Sequence, residues 1–338
     1  MFEPINRQVK QLTGIPGPSR RPTSGSNIQF LIYGKIIIDN IRLLDGTVVR
    51  SVIGGGGPQG AFGARLWNDS VGLLSRSGED IEEGPAKSLL DLDIDLSGWM
   101  KYPSLRTLRG AMVYDEKQQM IPNELYKDEP AARAENWSRL LSQPIPLPAS
   151  YQQPQVIHLI SEYYDEPMVK TALELRSHGA LFSLEPLFDF REWKNRDYIL
   201  SLMPNVDIVS PDWPSASGIA QSEDPRKVLE YWSKLGPAMV TVRNGHLGSY
   251  AWDRETNRYW HIPIVPVPVV DPTGAGNSYA GGLTVGWTET HDARRAACYG
   301  TVSASYLVRR YGLPKVTPEL MAEARHLLDE TVKQVTPL

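Results

Sequence analysis

The feature that most constrains the fold of this chain is the regular alternation of short apolar runs and helical stretches in its second half. We predict strands at 156–160, 181–184, 206–210 and 238–243, and helices at 166–178, 193–202 and 225–235. Apolar strands that are joined by helices form right-handed βαβ units, and their parallel sheet is covered by helices on both faces. The sequence therefore predicts an α/β fold with a doubly wound, mostly parallel sheet.

The N-terminal segment differs in composition from the rest of the chain. Residues 1–27 are rich in Pro, Gly, Ser and Arg and contain little that a core could bury, which predicts a flexible arm. The first apolar strand is predicted at 28–34, so we expect one α/β domain over residues 28–338.

Three β-prone runs in the N-terminal half of this domain fall outside the alternation of strands and helices. Asp45-Gly46 lies between two such runs and is a hairpin signal. A further β-prone run follows after Leu105. We predict β-strands in these runs.

The segment 265–282 combines an apolar run, an acid, a glycine turn and a series of small residues. We predict a strand that ends before Asp271, then a turn and the start of a helix. The first turn of a helix has N–H groups without intrahelical acceptors, and the helix dipole adds positive potential there. The alternative is that the glycines only make a tight connection. The predicted anion hole, best suited to phosphate, consists of Thr273, Gly274, Ala275 and Gly276.

The string Asp-Pro-Thr-Gly-Ala-Gly-Asn at 271–277 resembles the C-terminal signature of the PfkB, or ribokinase-like, family of sugar and nucleoside kinases. That signature usually reads Asp-Thr-Thr-Gly-Ala-Gly-Asp, and its last Asp is the catalytic base, so the resemblance places Asn277 at the catalytic position. It also implies a three-layer α/β fold with a small β-sheet lid formed by about residues 36–53 and 100–122, and ATP and Mg²⁺ as cofactors. With the four glycines at 54–57, the string looks like a divergent, largely fungal branch of the family.

The resemblance assigns substrate binding to the lid and to the glycine patch. In the family, the Asp that corresponds to Asp39 binds substrate hydroxyls, and a carboxylate can accept hydrogen bonds from two neighbouring hydroxyls. A strand-end Asp that satisfies a turn is the alternative. Gly55 and Gly56 allow the backbone to approach a ligand closely. The family Asn that holds the sugar falls on Pro58, so its contact is lost or passes to Gln59.

The nucleotide side is implied by two further stretches. Residues 241–248 resemble the family's Thr-Leu-Gly-x-x-Gly loop, in which Gly245 and Gly248 match and Arg243 could contact a phosphate. An exposed strand-end arginine is the alternative for Arg243. Thr301 falls where the family has residues close to the adenine, although a helix of small residues explains that stretch equally well.

The metal motif of the family, Pro-Asn-x-x-Glu, corresponds to residues 211–215. Asp212 could still support a hydrated Mg²⁺ through water, because magnesium keeps several of its waters and needs few protein oxygens. Ser215 offers no carboxylate in place of the Glu, and Glu185, just after the predicted strand at 181–184, is a candidate replacement that no motif supports.

Charge and cysteine content restrict the partners and the compartment. Lys and Arg number 35 against 39 Asp and Glu, and a net charge of −4 argues against a nucleic-acid partner. Cys298 is the only cysteine, which excludes an intramolecular disulfide. We find no apolar run that could span a bilayer and no signal-peptide pattern, so we expect no membrane partner and a cytoplasmic location.

Three functions follow from these residues. The first is an ATP-dependent phosphotransferase acting on a hydroxyl of a sugar, nucleoside or similar small polyol. We expect it to be slow or atypical, because the amide of Asn277 is not a useful proton acceptor near neutral pH. The second is a catalytically inactive pseudokinase that binds a ligand or a partner. The third is an enzyme that reuses the pocket for non-kinase chemistry. The exposed lid also offers a surface for a homodimer.

Overall fold

The computed structural model describes residues 12–19, 27–42, 46–113, 130–161, 166–188 and 193–338. The strands among these residues are β1 Ile15–Pro16, β2 Phe30–Tyr33, β3 Ile37–Arg42, β4 Val48–Gly54, β5 Val71–Ser77, β6 Trp99–Lys101, β7 Leu108–Val113, β8 Val156–Ser161, β9 Leu181–Pro186, β10 Ile208–Val209, β11 Met239–Arg243, β12 Ser249–Asp253, β13 Tyr259–Ile262 and β14 Thr336–Pro337. The α-helices are α1 Gly57–Arg65, α2 Glu83–Leu90, α3 Pro130–Leu141, α4 Glu166–Ser177, α5 Arg196–Leu202, α6 Trp213–Ala220, α7 Pro225–Ser233, α8 Ala275–Thr290, α9 Ala293–Leu307 and α10 Pro318–Lys333.

The large sheet has the strand order β1-β6-β5-β2-β8-β9-β10-β11-β12-β13-β14. The strands from β6 to β11 in this order run parallel, whereas β1 at one edge and β12, β13 and β14 at the other pair antiparallel. Parallel strands need helical crossovers, and those helices cover both faces of the sheet. The predicted α/β fold with a mostly parallel sheet is therefore confirmed.

Strand β2 shows how the sheet separates two hydrophobic cores. Its residues are fully buried, and alternate side chains point to opposite faces. Phe30 and Ile32 pack into the core that contains α1, α8, α9 and α10, while Leu31 and Tyr33 pack into the core with α4, α5, α6 and α7. The three-layer arrangement predicted for the chain follows from this burial on both faces.

The predicted lid is present as a smaller sheet with the order β4-β3-β7. Strand β3 pairs antiparallel with β4 and parallel with β7, and Asp39 lies opposite Gly110 in the second pair. The hairpin signal at Asp45 and the predicted lid residues 114–122 lie outside the described residues. Strands β3 and β4 are consecutive along the chain, whereas β3 and β7 are far apart in sequence, so the lid sheet also depends on a tertiary contact.

The described part of the predicted N-terminal arm lies along an edge of the large sheet. Ile15 and Pro16 of β1 pair with β6, and the N–H of Gly17 donates to the carbonyl of Trp99 at 2.8 Å. The remainder of the arm up to residue 26 lies outside the described residues. The extent of a flexible arm at 1–27 therefore stays a prediction.

The prediction of a strand ahead of Asp271 is wrong. Residues 263–270 form no strand, and Ile264, Val269 and Val270 are exposed. Three prolines in this segment lack the N–H group that a sheet ladder requires. The N–H groups of Val270 and Asp271 instead donate to the carbonyl of Val308 at the end of α9, at 2.8 and 3.2 Å. The turn after Asp271 is thus anchored by a helix end.

Within the part of the chain that the structure describes, none of the helices has the length and apolar composition that crossing a bilayer requires.

Candidate active site

The glycine turn before α8 has the local structure that the sequence predicts. Gly274 has φ of +79°, a conformation that glycine adopts without strain, and α8 begins at Ala275. The carboxylate of Asp271 accepts a hydrogen bond from the N–H of Thr273 at 2.9 Å. Burial raises the pKa of Asp271, although this hydrogen bond opposes the shift. The N–H groups of the first turn, including that of Gly276, have no acceptor within the helix.

Close packing against α1 fixes the position of α8. A Cβ atom on Gly63 would overlap the carbonyl of Ser278, and one on Gly281 would overlap the carbonyl of Gly60. Both helices therefore approach each other backbone to backbone, which only glycine allows at these positions. This contact places the segment 273–276, which forms the predicted anion hole and is called the anion turn below, beside the glycine patch at the start of α1.

Arg243, the last residue of β11, lies over the first turn of α8. Its Nη1 donates to Glu185 Oε1 at 2.7 Å and its Nη2 donates to the carbonyl of Ser210 at 2.9 Å. A Cβ atom on Gly276 would overlap Nη1 of Arg243. The structure therefore brings a cation to the predicted anion turn, where the sequence places Arg243 on the nucleotide side.

Glu185, near the end of β9, is a site residue that no motif in the sequence identifies. Its side chain is 2% exposed, and Oε1 also accepts a hydrogen bond from Nδ2 of Asn277 at 3.0 Å. Burial alone would raise the pKa of Glu185, but Arg243, His158 and Asn277 outweigh it, so the pKa lies below its ordinary value. The site thus contains an ionised carboxylate next to Asn277.

His158 of β8 completes the surroundings of this carboxylate. Its Nδ1 is 2.9 Å from the hydroxyl of Ser183, and its Nε2 is 3.9 Å from Oε2 of Glu185. Neither Nε2 nor Oε2 has a hydrogen-bond partner among the described residues. The carboxyl ends of β9, β10 and β11 therefore supply Glu185, Ser210 and Arg243, as is usual for ligand sites of open α/β sheets, whereas His158 lies within β8.

Asp39 lies in the lid with its carboxylate enclosed by two glycines. The residue is fully buried, and a Cβ atom on Gly54 or on Gly110 would overlap one of its carboxylate oxygens. Gly54 ends β4, and two residues later a Cβ on Gly56 would lie 3.2 Å from Nδ2 of Asn277. One glycine turn therefore connects the surroundings of Asp39 with those of Asn277.

The glycine patch itself adopts conformations that favour glycine. Gly55 and Gly56 have φ values of +93° and +87°. Gln59 donates from Nε2 to the carbonyl of Ile53 at 2.9 Å and accepts at Oε1 from the N–H of Gly56 at 3.2 Å. Both ends of its amide thus stabilise the start of α1, and a substrate contact of Gln59 stays a prediction.

The loop after β11 holds the predicted nucleotide-binding glycines. Gly245 is exposed with φ of +54°, and a Cβ atom on it would meet nothing within 4 Å. A Cβ atom on Gly248 would overlap the carbonyl of Ile262 in β13. Thr301 is buried in α9, one residue after Gly300, which packs on Tyr279 of α8. A nucleotide role of Thr301 stays a prediction.

Asp212 precedes α6 and forms a parallel bridge with Arg243, so its backbone lies beside the site. No group of three or more His, Cys, Asp or Glu side chains that could hold a metal ion occurs among the residues that the structure describes. Magnesium is commonly bound through one or two carboxylates, waters and substrate phosphates, so this arrangement fits the ion only together with a nucleotide. A metal role of Asp212 stays a prediction.

Known proteins are similar to this chain over most of its length. Cytidine kinase of Thermococcus kodakarensis is 25% identical over 286 residues, which cover 84% of this chain and 98% of that protein. An uncharacterised protein of Schizosaccharomyces pombe is 24% identical, covering 86% of this chain and 87% of its own length.

Solved structures share the fold. Adenosine kinase of Sinorhizobium meliloti has a TM-score of 0.70 at 18% identity and covers 89% of this chain and 99% of its own. An Escherichia coli protein assigned as a candidate Ribokinase II, in complex with ATP and Mg²⁺, has a TM-score of 0.68 at 19% identity, with the same coverage. The pfkB family carbohydrate kinase profile matches residues 30–319. The chain belongs to the pfkB family of carbohydrate kinases.

Proposed function

We propose that this protein is an ATP-dependent phosphotransferase that acts on a hydroxyl group of a nucleoside, a sugar or a similar small polyol. The observation that carries the proposal is the glycine turn Gly54–Gly57, which begins against the carboxylate of Asp39 and reaches Asn277 at the anion turn. A hydroxyl held at one end of this turn lies near a phosphate held at the other. The relative named cytidine kinase makes nucleosides the first substrates to test.

Asp39 would hold the substrate. A buried carboxylate between Gly54 and Gly110 can accept hydrogen bonds from two adjacent hydroxyls, as a ribose or another polyol presents them. Glycine on both neighbouring strands keeps side chains away from the carboxylate. The lid therefore contributes selectivity for hydroxyl-bearing rings.

The start of α8 and Arg243 would hold the phosphates of ATP, which supplies the phosphoryl group. The helix dipole and the guanidinium both favour a polyanion at this place, and Gly276 allows the guanidinium to lie close to the helix. Asp212 would hold a hydrated Mg²⁺ through water. The residues that are present therefore fit a nucleotide.

Asn277 would orient the substrate hydroxyl without removing its proton. General-base catalysis typically contributes ~10²- to 10⁴-fold, so the absence of a base raises the barrier by roughly 3–5 kcal/mol. Phosphoryl transfer has a loose transition state in which positioning contributes most. The site therefore supports a slow kinase.

A pseudokinase is the second candidate, and the amide at position 277 favours it. The two candidates differ in product formation. The test incubates the protein with ATP, Mg²⁺ and, separately, cytidine, adenosine, ribose and fructose, and detects the phosphorylated product by mass spectrometry. We expect a product that Asp39→Asn abolishes and that Asp197→Asn, an exposed control, leaves unchanged. ATP binding without product on a wider panel of polyols would favour the pseudokinase, and no ATP binding would refute the kinase.

A further inference from the structure

The strongest feature that the proposed function leaves unexplained is the buried contact between Glu185 and Asn277. Glu185 Oε1 receives two donors from different elements, Nδ2 of Asn277 at 3.0 Å and Nη1 of Arg243 at 2.7 Å. Glu185 is almost completely buried, so these groups rather than water stabilise its charge. The charge of Glu185 is thus shared between the anion turn and the end of β11.

The carboxylate determines the orientation of the Asn277 amide. An ionised carboxylate only accepts hydrogen bonds, so the NH₂ group must face Glu185, because the opposite orientation would bring two acceptors together. A Cβ atom on Gly56 would lie 3.2 Å from Nδ2 of this NH₂ group. Oδ1, on the other side of the planar amide, is left as the acceptor for a ligand hydroxyl.

Glu185 also explains how a cation can lie at the start of α8. The positive end of the helix dipole alone would repel the guanidinium of Arg243. The negative charge of Glu185 offsets this repulsion, and the hydrogen bond to the Ser210 carbonyl at 2.9 Å fixes the second nitrogen. Removal of Glu185 would therefore release Arg243 from the anion turn.

We propose that Glu185 is a positioning residue and forms a matched acid and amide pair with Asn277. Glu185 carries the negative charge that family members carry at position 277, directs Oδ1 of Asn277 to the substrate hydroxyl and holds Arg243 at the phosphates. The pairing rests only on the contacts above, whereas its effect on turnover rests on the proposed function. It follows that Asn277→Asp alone does not restore an ordinary kinase, because it brings two carboxylates together.

A thermal unfolding cycle tests the pairing without any activity. We expect Asn277→Asp and Glu185→Gln each to lower the melting temperature, and the double variant Glu185→Gln/Asn277→Asp to recover most of the loss, because it exchanges the acid and the amide. Effects of residues in contact are non-additive in this way. Glu174→Gln, an exposed glutamate on α4, is the control and should melt like the wild type.

The pH dependence adds a second criterion. Arg243 and His158 are the charged or titratable side chains that face Glu185 from β11 and β8. Two adjacent carboxylates share a proton, which raises one pKa in the folded state, so stability is lost as the pH rises through that pKa. The deficit of Asn277→Asp should therefore be larger at pH 8 than at pH 5. Additive losses in the double variant, or a deficit independent of pH, would overturn the pairing.

Turnover tests the positioning role once a substrate is found. We expect Glu185→Gln to lower kcat about a hundredfold, as misplacement of reacting groups does, and the double variant to recover at least a tenth of the wild-type kcat. An unchanged kcat in Glu185→Gln would refute the positioning role. If the wild type phosphorylates no substrate, the proposed function fails, while the unfolding cycle still decides the pairing.

Discussion

At the scale of single residues, Gly276 is a position where one added methyl group would disrupt the contacts of the site. A methyl group there would occupy the place of Arg243 Nη1, and the guanidinium could not keep its hydrogen bond to Glu185. The residue is the second of α8, so alanine is otherwise acceptable to the helix. The site therefore excludes any side chain at position 276, whereas the backbone conformation there would accept one.

We therefore expect Gly276→Ala to weaken ATP binding about tenfold or more through the loss of an arginine–phosphate contact. It should also destabilise the fold, because displacement of the guanidinium leaves the buried carboxylate of Glu185 without its ion pair. Isothermal titration calorimetry with ATP and Mg²⁺ measures the first effect and urea unfolding the second. Gly84→Ala in α2 is the matched control, because a Cβ atom there meets nothing within 4 Å. Equal affinity in both variants would show that Arg243 contributes nothing to ATP binding.

At the scale of elements, the crossing of α1 and α8 determines where the anion turn lies. Gly63 faces the carbonyl of Ser278 and Gly281 faces the carbonyl of Gly60, with no room for a methyl group in either contact. Both partners are helical backbone, which cannot move as a flexible side chain would. The helices must separate if either glycine is replaced.

Gly63→Ala and Gly281→Ala should each lower the free energy of unfolding by about 1–3 kcal/mol. Each should also lower kcat on the substrate found, because separation of the helices moves Asn277 away from the glycine patch. The urea midpoint and steady-state kinetics measure these effects. A loss of stability with full activity would show that the active site does not depend on this crossing.

The elements also show which sequence signals are reliable. The predicted helix at 166–178 and strand at 181–184 closely match α4 and β9, because their apolar periodicity is local. Helix α3 was not predicted because the segment 115–153 around it is polar and contains several prolines. Helix α6 was not predicted because small residues weaken its apolar periodicity. The apolar run before Asp271 resembled a strand only in composition, and its prolines prevent sheet pairing.

At the scale of the whole molecule, the large sheet ends in two-residue strands at both edges, β1 and β14. Short edge strands limit edge-to-edge association. β1 covers β6 from a segment that precedes the domain, and the N–H of Leu12 donates to Oε1 of Gln143 at 3.1 Å. The N-terminal segment therefore contributes to the stability of the sheet. Pairing of two lids in a homodimer stays a prediction.

Deletion of residues 1–19 should uncover the edge of β6 and remove the hydrogen bonds between Gly17 and Trp99 and between Leu96 and Pro18. We expect a lower melting temperature and concentration-dependent self-association, measured by differential scanning fluorimetry and analytical ultracentrifugation. Deletion of residues 1–11 is the control, because it leaves β1 in place. If both deletions behave alike, β1 does not protect this edge.

The sequence by itself determined the α/β class, the alternation of strands and helices and the glycine turn before α8, because periodicity and glycine turns are local properties. It also identified Asp39, Arg243 and Asn277 as candidate site residues. Only the tertiary structure decided that Glu185 meets Asn277, 92 positions away. The physical reason is that sheet register and the glycine contacts of α8 set this distance, and neither is encoded in any short segment of the chain.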